Sequence, residues 1–164
     1  DNMPIMNAGG LCYLLRKVVN SDPSRLIATK DILDFKKKVI LFYNFDYELE
    51  LLRNYDWGDD VVVAEYNGHI HQDVPTSDKW LYLVNYASGA EGWNCITTDT
   101  TIFFSQNYSY RTVVQASGRI NRVNTPFKNL YYYHFKSNSQ IDRAIFAALS
   151  KKQNFNEKQF IRDF

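Results

Sequence analysis

Residues 38–44 have the sequence KVILFYN, in which five apolar or aromatic side chains follow one another without a break. Such a run is typical of a strand that is buried on both faces, as in a parallel sheet covered by helices. The chain then turns, and Leu49, Leu51 and Leu52 indicate a helix. This stretch therefore predicts a strand–helix unit of an α/β fold.

The same alternation extends over the rest of the chain. Further strands are predicted at residues 61–64, 80–86, 101–105 and 130–135. Further helices are predicted at residues 5–20, after an N-cap at Ser24, and at residues 110–120 and 139–151. Strands that alternate with helices imply a parallel sheet. We therefore predict an α/β fold in which helices cover both faces of a parallel sheet, preceded by N-terminal helices.

The composition is that of a globular protein. The chain has 164 residues, of which 45% are hydrophobic and 23% are charged, and this length suits one domain over residues 1–164. Residues 1–35 are expected to form a helical lead-in, and residues 152–164 a C-terminal tail. The chain begins at Asp1 rather than at a methionine, which indicates a fragment of a longer protein.

The sequence disfavours membrane and secreted proteins. No apolar run approaches the roughly 20 residues of a membrane-spanning helix, and no signal peptide is visible. Cys12 and Cys95 lack metal-ligand spacing and favour a reducing compartment, so a cytoplasmic, intracellular location is expected. The net charge of +1 neither demands nor excludes a nucleic-acid partner, because a basic groove can exist within a neutral total.

The residues most indicative of chemistry are 115–122, with the sequence QASGRINR. On a helix, Arg119 and Arg122 are three residues apart and would share one face. Gly118 beside them lacks a side chain, so another surface could approach closely. Two guanidinium groups aimed together suit the charge of a phosphoryl group in transfer. The alternative from these residues alone is an exposed basic helix end that makes surface salt bridges.

These residues resemble motif six of superfamily-two helicases, whose pattern is Gln-x-x-Gly-Arg-x-x-Arg. Residues 88–94 resemble motif five, in which a Gly-x-Asn triplet follows a strand, and residues 38–44 resemble motif four. Residues 131–149 resemble the strand, turn and helix after motif six in the Swi/Snf-like branch, and residues 23–33 resemble its leading helix. The chain thus resembles the C-terminal, second RecA-like domain of a superfamily-two helicase, closest to the Swi/Snf-like DNA translocases.

The resemblance implies a RecA-like fold and the role of a motor domain in an ATP-dependent helicase or DNA translocase. Arg122 would be the arginine finger that reaches the γ-phosphate of ATP. Arg119 would be its partner on the same phosphate or a structural tie across the cleft. The other residues on the nucleotide side would be Gln115, Gly118, Gly92 and Asn94.

The resemblance also implies a nucleic-acid track, for which double-stranded DNA is the expected ligand. Phosphate contacts that do not read the base sequence would come from Asn44, Asn67, Gly68, Ser88 and Gly89. The chain has neither a Gly-x-x-x-x-Gly-Lys-Ser/Thr loop nor an Asp-Glu-x-x sequence after a strand. ATP with Mg²⁺ would therefore be bound mainly by an N-terminal RecA-like domain of the same protein, and not tightly by this chain alone. The isolated domain is predicted to be inactive.

Three alternatives remain open from the sequence. A degenerate RecA-like module could bind nucleic acid or a protein without any ATPase role, although the intact arginines argue against it. His69 and His71 could belong to a metal site, but a solvated loop is favoured because no Cys or third His is near in sequence, and no metal is predicted. Trp93 could stack on a base, or pack beneath its loop.

Overall fold

A computed structural model describes residues 7–88 and 93–163. Within these residues the chain forms one five-stranded parallel sheet, in the order β2-β3-β1-β4-β5. The strands are β1 (Lys38–Tyr43), β2 (Val62–Tyr66), β3 (Trp80–Asn85), β4 (Thr100–Phe103) and β5 (Tyr131–His134). All five predicted strands are present, with ends that differ from the prediction by up to two residues. The predicted parallel α/β sheet is confirmed.

Along the described part of the chain, two helices precede the first strand, two lie between strands, and two follow the last strand. They are α1 (Ala8–Asn20), α2 (Pro23–Lys36), α3 (Asp46–Asn54), α4 (Tyr110–Ser117), α5 (Gln140–Ser150) and α6 (Glu157–Asp163). None of them is long and apolar enough to cross a membrane. Strict alternation of strand and helix does not hold, because no described helix separates β2 from β3 or β3 from β4.

The start of α2 differs from the prediction. Asp22, not Ser24, is the N-cap, and its carboxylate accepts a hydrogen bond of 2.9 Å from the backbone N–H of Ser24. Pro23 follows at the first helical position, where its missing N–H costs nothing and its fixed φ suits the helix. The Asp-Pro pair therefore starts the helix earlier than the Ser24 prediction.

Alternate residues of β1 pack on opposite sides of the sheet. Leu41 lies in a buried cluster with Leu33 of α2 and Leu52 of α3. Phe42 lies in a second buried cluster with Ala116, on the side covered by α4. Helices therefore cover both faces, as predicted, and this explains why residues 39–43 of the strand are all apolar or aromatic.

A third buried cluster joins the two ends of the described chain. Cys12 of α1 packs with Ile141 and Ile145 of α5, and Phe155 and Phe160 complete the cluster from the C-terminal segment. The predicted helical lead-in and the predicted tail thus pack on each other and on α5. They stabilise the same domain rather than projecting from it.

Candidate nucleotide and nucleic-acid site

The end of α4 separates the two arginines from the helix. α4 runs from Tyr110 to Ser117 with Ser109 as its N-cap, and Gly118 is its C-cap with φ −71°. The backbone N–H of Arg119 then bonds to Ala116 O at 3.2 Å, a tight turn rather than a continued helix. The prediction that Arg119 and Arg122 share one helical face is therefore wrong, because the helix stops before both of them.

Arg119 is half-buried and ties motif six to motif five. Its Nη1 donates to the carbonyl of Trp93 at 3.1 Å, and its guanidinium carbon lies 5.4 Å from the Trp93 ring centroid. The backbone N–H of Cys95 also donates to Arg119 O at 3.0 Å. Burial lowers the pKa of Arg119, and the nearby positive charge of Arg122 lowers it further. These contacts hold Arg119 against residues 93–95 of the same chain, and its role on the phosphate or across the cleft remains a prediction.

Trp93 packs beneath its loop. Its ring meets Tyr82 edge-on with centroids 5.4 Å apart and lies nearly parallel to Phe42 at 6.5 Å. With Arg119 also over the ring, Trp93 anchors residues 93–95 to the sheet. Between the two interpretations of Trp93, this geometry supports a packed aromatic.

Arg122 is exposed and lies beside Asn94. Its Nη1 is 3.4 Å from Gly118 O. When the Asn94 amide is oriented so that its nitrogen donates to Trp93 O at 3.0 Å, its oxygen accepts from Arg122 Nη2 at 3.1 Å. The fold thus brings together Arg119, Arg122 and Asn94, which the sequence separates by up to 28 positions. The Arg122 guanidinium faces solvent and is positioned by its contacts with Gly118 O and Asn94, so it is suited to bind an anion on a second surface.

Gln115 and Gly118 lie next to this group. Gln115 is exposed on the last turn of α4. A Cβ added at Gly118 would meet, among described atoms, only Gln115 O at 3.4 Å and Val114 O at 3.6 Å. At these distances an added Cβ would make ordinary van der Waals contact, and the close approach of a second surface at Gly118 remains a prediction. Gly92 lies outside the described residues.

A separate cleft of about 740 Å³ opens at the carboxyl ends of β1, β2 and β3. Three of the predicted nucleic-acid residues line it, namely Asn67, Gly68 and Ser88. Gly89 lies outside the described residues. The cleft is also lined by Asn85 and His69, which sequence reasoning missed. Asn85 is the last residue of β3, whereas the predicted strand ended at residue 86. The prediction therefore treated Asn85 as an interior strand residue and not as one at the strand end that faces the cleft.

Asn67 shapes the turn that lines the cleft. Its side-chain oxygen accepts from the backbone N–H groups of His69 at 2.9 Å and Ile70 at 3.0 Å, and its amide nitrogen donates to Glu65. The side chain is buried, so its effect on a ligand is through the turn. A Cβ added at Gly68 would meet no described atom within 4 Å, which leaves the Gly68 backbone exposed toward the cleft.

Asn85 of that cleft donates to the Asn44 carbonyl at 3.3 Å, but Asn44 itself does not line the cleft and is engaged within the protein. Its amide nitrogen donates to Ser105 Oγ at 2.8 Å and to Gln106 O at 2.9 Å, and its oxygen accepts from Asn107 Nδ2 at 2.9 Å. The backbone N–H of Asn44 donates to the buried carboxylate of Glu48 at 3.0 Å. Burial raises the pKa of Glu48 despite its hydrogen bonds. Asn44 thus connects the segment after β1 to residues 105–107 after β4. Its role as a phosphate contact remains a prediction.

His69 and His71 have different surroundings. The His71 ring stacks on Tyr66 with centroids 4.8 Å apart, while His69 faces the cleft. No group of three or more His, Cys, Asp or Glu side chains suited to a metal ion occurs in the described part of the chain.

The chain is similar to parts of two known proteins. No protein-family model matches the chain. The chain is similar to the C-terminal part of the Fun30 ATPase domain, whose crystal structure superposes with a TM-score of 0.67 at 19% identity over 84% of this chain and 50% of that one. Its fold is that of a C-terminal RecA-like ATPase domain.

The sequence comparison agrees with this RecA-like fold. The chain is 22% identical over 130 residues to ISW2, the ATPase of an ISWI chromatin-remodeling complex of Saccharomyces cerevisiae. That match covers 73% of this chain but only 12% of ISW2. The predicted resemblance to the second RecA-like domain of Swi/Snf-like proteins is confirmed.

Proposed function

We propose that this RecA-like domain is the second half of an ATP-driven DNA translocase and supplies Arg122 as the arginine finger. The main support is the exposed Arg122 guanidinium, whose Nη2 lies 3.1 Å from the Asn94 side-chain oxygen where motifs five and six meet. Similarity to the Fun30 ATPase domain and to ISW2 supports an ATP-dependent motor. The remaining half would be a RecA-like domain that precedes this one in the same protein.

The chemistry assigned to each residue follows from its surroundings. ATP with Mg²⁺ would be held mainly by the other half, since this chain lacks a phosphate-binding glycine loop. Arg122 would stabilise negative charge that develops on the transferred phosphoryl group. Arg119, with its hydrogen bond to Trp93 O, would hold residues 93–95 in place. Asn94 and Gln115 would orient Arg122 and the nucleotide side of the cleft.

The cleft at the ends of β1, β2 and β3 would form part of the nucleic-acid track. Ser88 offers a hydroxyl, and Gly68 an exposed backbone, both of which suit phosphate oxygens. His69 adds a further polar group to the same wall, whereas the Asn85 amide donates to Asn44 O and accepts from the N–H of Ala87. Because a hydroxyl and a backbone N–H contact phosphates without reading base edges, binding would be insensitive to base sequence. Duplex DNA is the proposed ligand. A protein that acts on cellular DNA would be intracellular, and we propose that location.

The chain alone is expected to hydrolyse ATP at less than about 1 s⁻¹, the low end for enzymes generally, even with saturating duplex DNA. The reason is that no phosphate loop or Mg²⁺-binding carboxylate pair is present to hold the nucleotide. A steady-state phosphate-release assay measures this rate. Turnover at or above about 1 s⁻¹ that Arg122→Ala removes would show that the domain holds ATP by itself, contrary to the proposed division of roles.

The domain is expected to bind duplex DNA weakly, with an affinity that falls steeply as salt rises. Ser88→Asp, which adds a negative charge to the cleft, should weaken binding several-fold. Ser77→Asp is the matched control, because Ser77 precedes the opposite end of the same strand, β3. Fluorescence anisotropy at low and moderate salt measures both variants. Equal weakening by the two variants, or binding insensitive to salt, would place the track elsewhere.

A further inference from the structure

The side chain of Asn107 bridges the sheet and α4. Its Nδ2 donates to Asn44 Oδ1 at 2.9 Å, and its Oδ1 accepts from the backbone N–H of Ser109 at 2.9 Å. Ser109 is the N-cap of α4, and its hydroxyl accepts from the N–H of Thr112 at 3.2 Å. A single amide group thus connects the residue after β1 to the first turn of α4.

The sheet side of this bridge is firmly held. Besides its bond to Asn107, the Asn44 amide donates to Ser105 and Gln106. Ser105 Oγ and the N–H of Asn44 both donate to the buried Glu48 carboxylate at 3.0 Å. Every polar atom of the Asn44 side chain is therefore committed, so Asn107 bonds to a fixed point rather than to a mobile loop.

The helix side leads directly to Arg122. α4 has eight residues, a length of about 12 Å at the usual helical rise. Its C-cap is Gly118, whose carbonyl lies 3.4 Å from Arg122 Nη1. Buried Ala116 near its end packs on the sheet, so the helix lies between the bridge at one end and Arg122 at the other. A shift at the first turn would be transmitted along α4 to Gly118, which contacts Arg122.

We propose that Asn107 is a positioning residue for ATP turnover, which aligns α4 from the end of β1 and thereby sets where Arg122 reaches. This inference rests on the proposed function, because it requires that Arg122 act on ATP. Asn107 touches no reacting group itself. Its effect on rate comes from geometry, since a misplacement of about 1 Å at a catalytic group can cost on the order of 10²-fold in rate.

The variant Asn107→Asp removes the hydrogen bond to Asn44 while keeping the one to the N–H of Ser109, so it tests the bridge alone. The aspartate retains an oxygen for the N–H of Ser109, but it replaces the donor to Asn44 Oδ1 with a second acceptor. In the full-length protein, kcat for DNA-stimulated ATP hydrolysis should fall about tenfold or more. The KM for ATP and the affinity for duplex DNA should change less than about threefold, because neither ligand is bound by Asn107.

Asn154→Ala is the matched control for helix fraying. Asn154 Oδ1 accepts from the N–H of Tyr110 at 3.0 Å, so this change removes a different hydrogen bond from the same first turn and leaves the bridge intact. Its kcat should remain within about threefold of the unmodified protein. Should Asn107→Asp lower the melting temperature, Asn107→Ser provides the second variant, because a serine hydroxyl can cap Ser109 but cannot span the distance to Asn44.

The outcomes distinguish this inference from the proposed function. A kcat loss in Asn107→Asp and Asn107→Ser, with Asn154→Ala unaffected, supports the positioning role. Equal losses in Asn107→Asp and Asn154→Ala, or unchanged kcat in both Asn107 variants of a protein that Arg122→Ala inactivates, overturns it. Full turnover in Arg122→Ala instead refutes the arginine-finger proposal, and the positioning role fails with it.

Discussion

Replacing Arg122 by alanine in the full-length protein is expected to lower ATP turnover by about 10³–10⁵-fold, the range found for arginine fingers. The group is exposed and close to Asn94, so its removal should leave the fold intact. The expected loss lies in kcat rather than in ligand binding, because the finger acts on charge that develops in the transition state. Steady-state kinetics, duplex-DNA titration and melting temperature measure the three quantities separately.

Two further variants sharpen this test. Arg122→Lys should not restore turnover, because an ammonium is a point charge and cannot reproduce the planar fork of a guanidinium. Arg111→Ala is the matched control, since Arg111 is also exposed but lies on the first turn of α4, away from Gly118. Turnover that survives in Arg122→Ala within about threefold, roughly 0.7 kcal/mol of barrier, would refute the arginine-finger assignment and favour a binding module that takes no part in the protein's ATPase reaction.

Arg25→Met is expected to destabilise the domain by about 3–5 kcal/mol, the usual cost of breaking a buried ion pair. Arg25 of α2 and Asp142 of α5 are buried, with a nitrogen–oxygen distance of 2.7 Å. Arg25 Nη1 also donates to Phe104 O at 2.7 Å, so the substitution leaves both a buried carboxylate and a carbonyl without this partner. Urea denaturation of the isolated domain measures the free energy of unfolding.

An exposed ion pair provides the comparison for Arg25. Arg53 and Glu65 form two hydrogen bonds, at 2.7 and 2.6 Å, but the Arg53 side chain is 46% exposed. Arg53→Met should therefore cost only about 0–1 kcal/mol. In the double variant Arg25→Met with Asp142→Leu, much of the stability should return, because no buried charge remains. A cost for Arg25→Met no larger than that for Arg53→Met would contradict the burial argument.

The strands were predictable because burial on both faces leaves a direct trace in sequence. Residues 39–43 are apolar at every position, and the same kind of run marks β3. Element ends were less predictable, since they depend on single backbone contacts. Asp22 and Pro23 start α2 two residues before the predicted cap, and α4 stops at Ser117, where Gly118 is the C-cap, three residues before the predicted end at residue 120.

The candidate site was predictable as a motif but not as an arrangement. The spacing in residues 115–122 identified Arg119 and Arg122, which the fold places near Asn94. It could not separate their environments. Arg119 is held against Trp93 and Arg122 faces solvent, a difference that depends on which surface lies across the turn.

The sequence by itself determined the strand pattern, the parallel α/β class and the motif that marks the arginines, because periodicity and spacing are local properties of the chain. Tertiary structure alone decided which side chains meet. Asn44 and Asn107 are 63 positions apart, and their hydrogen bond exists because β1 and β4 are neighbours in the sheet. Strand order depends on the packing of the whole core, so no local pattern could have indicated that the polar residue after β1 holds the first turn of α4.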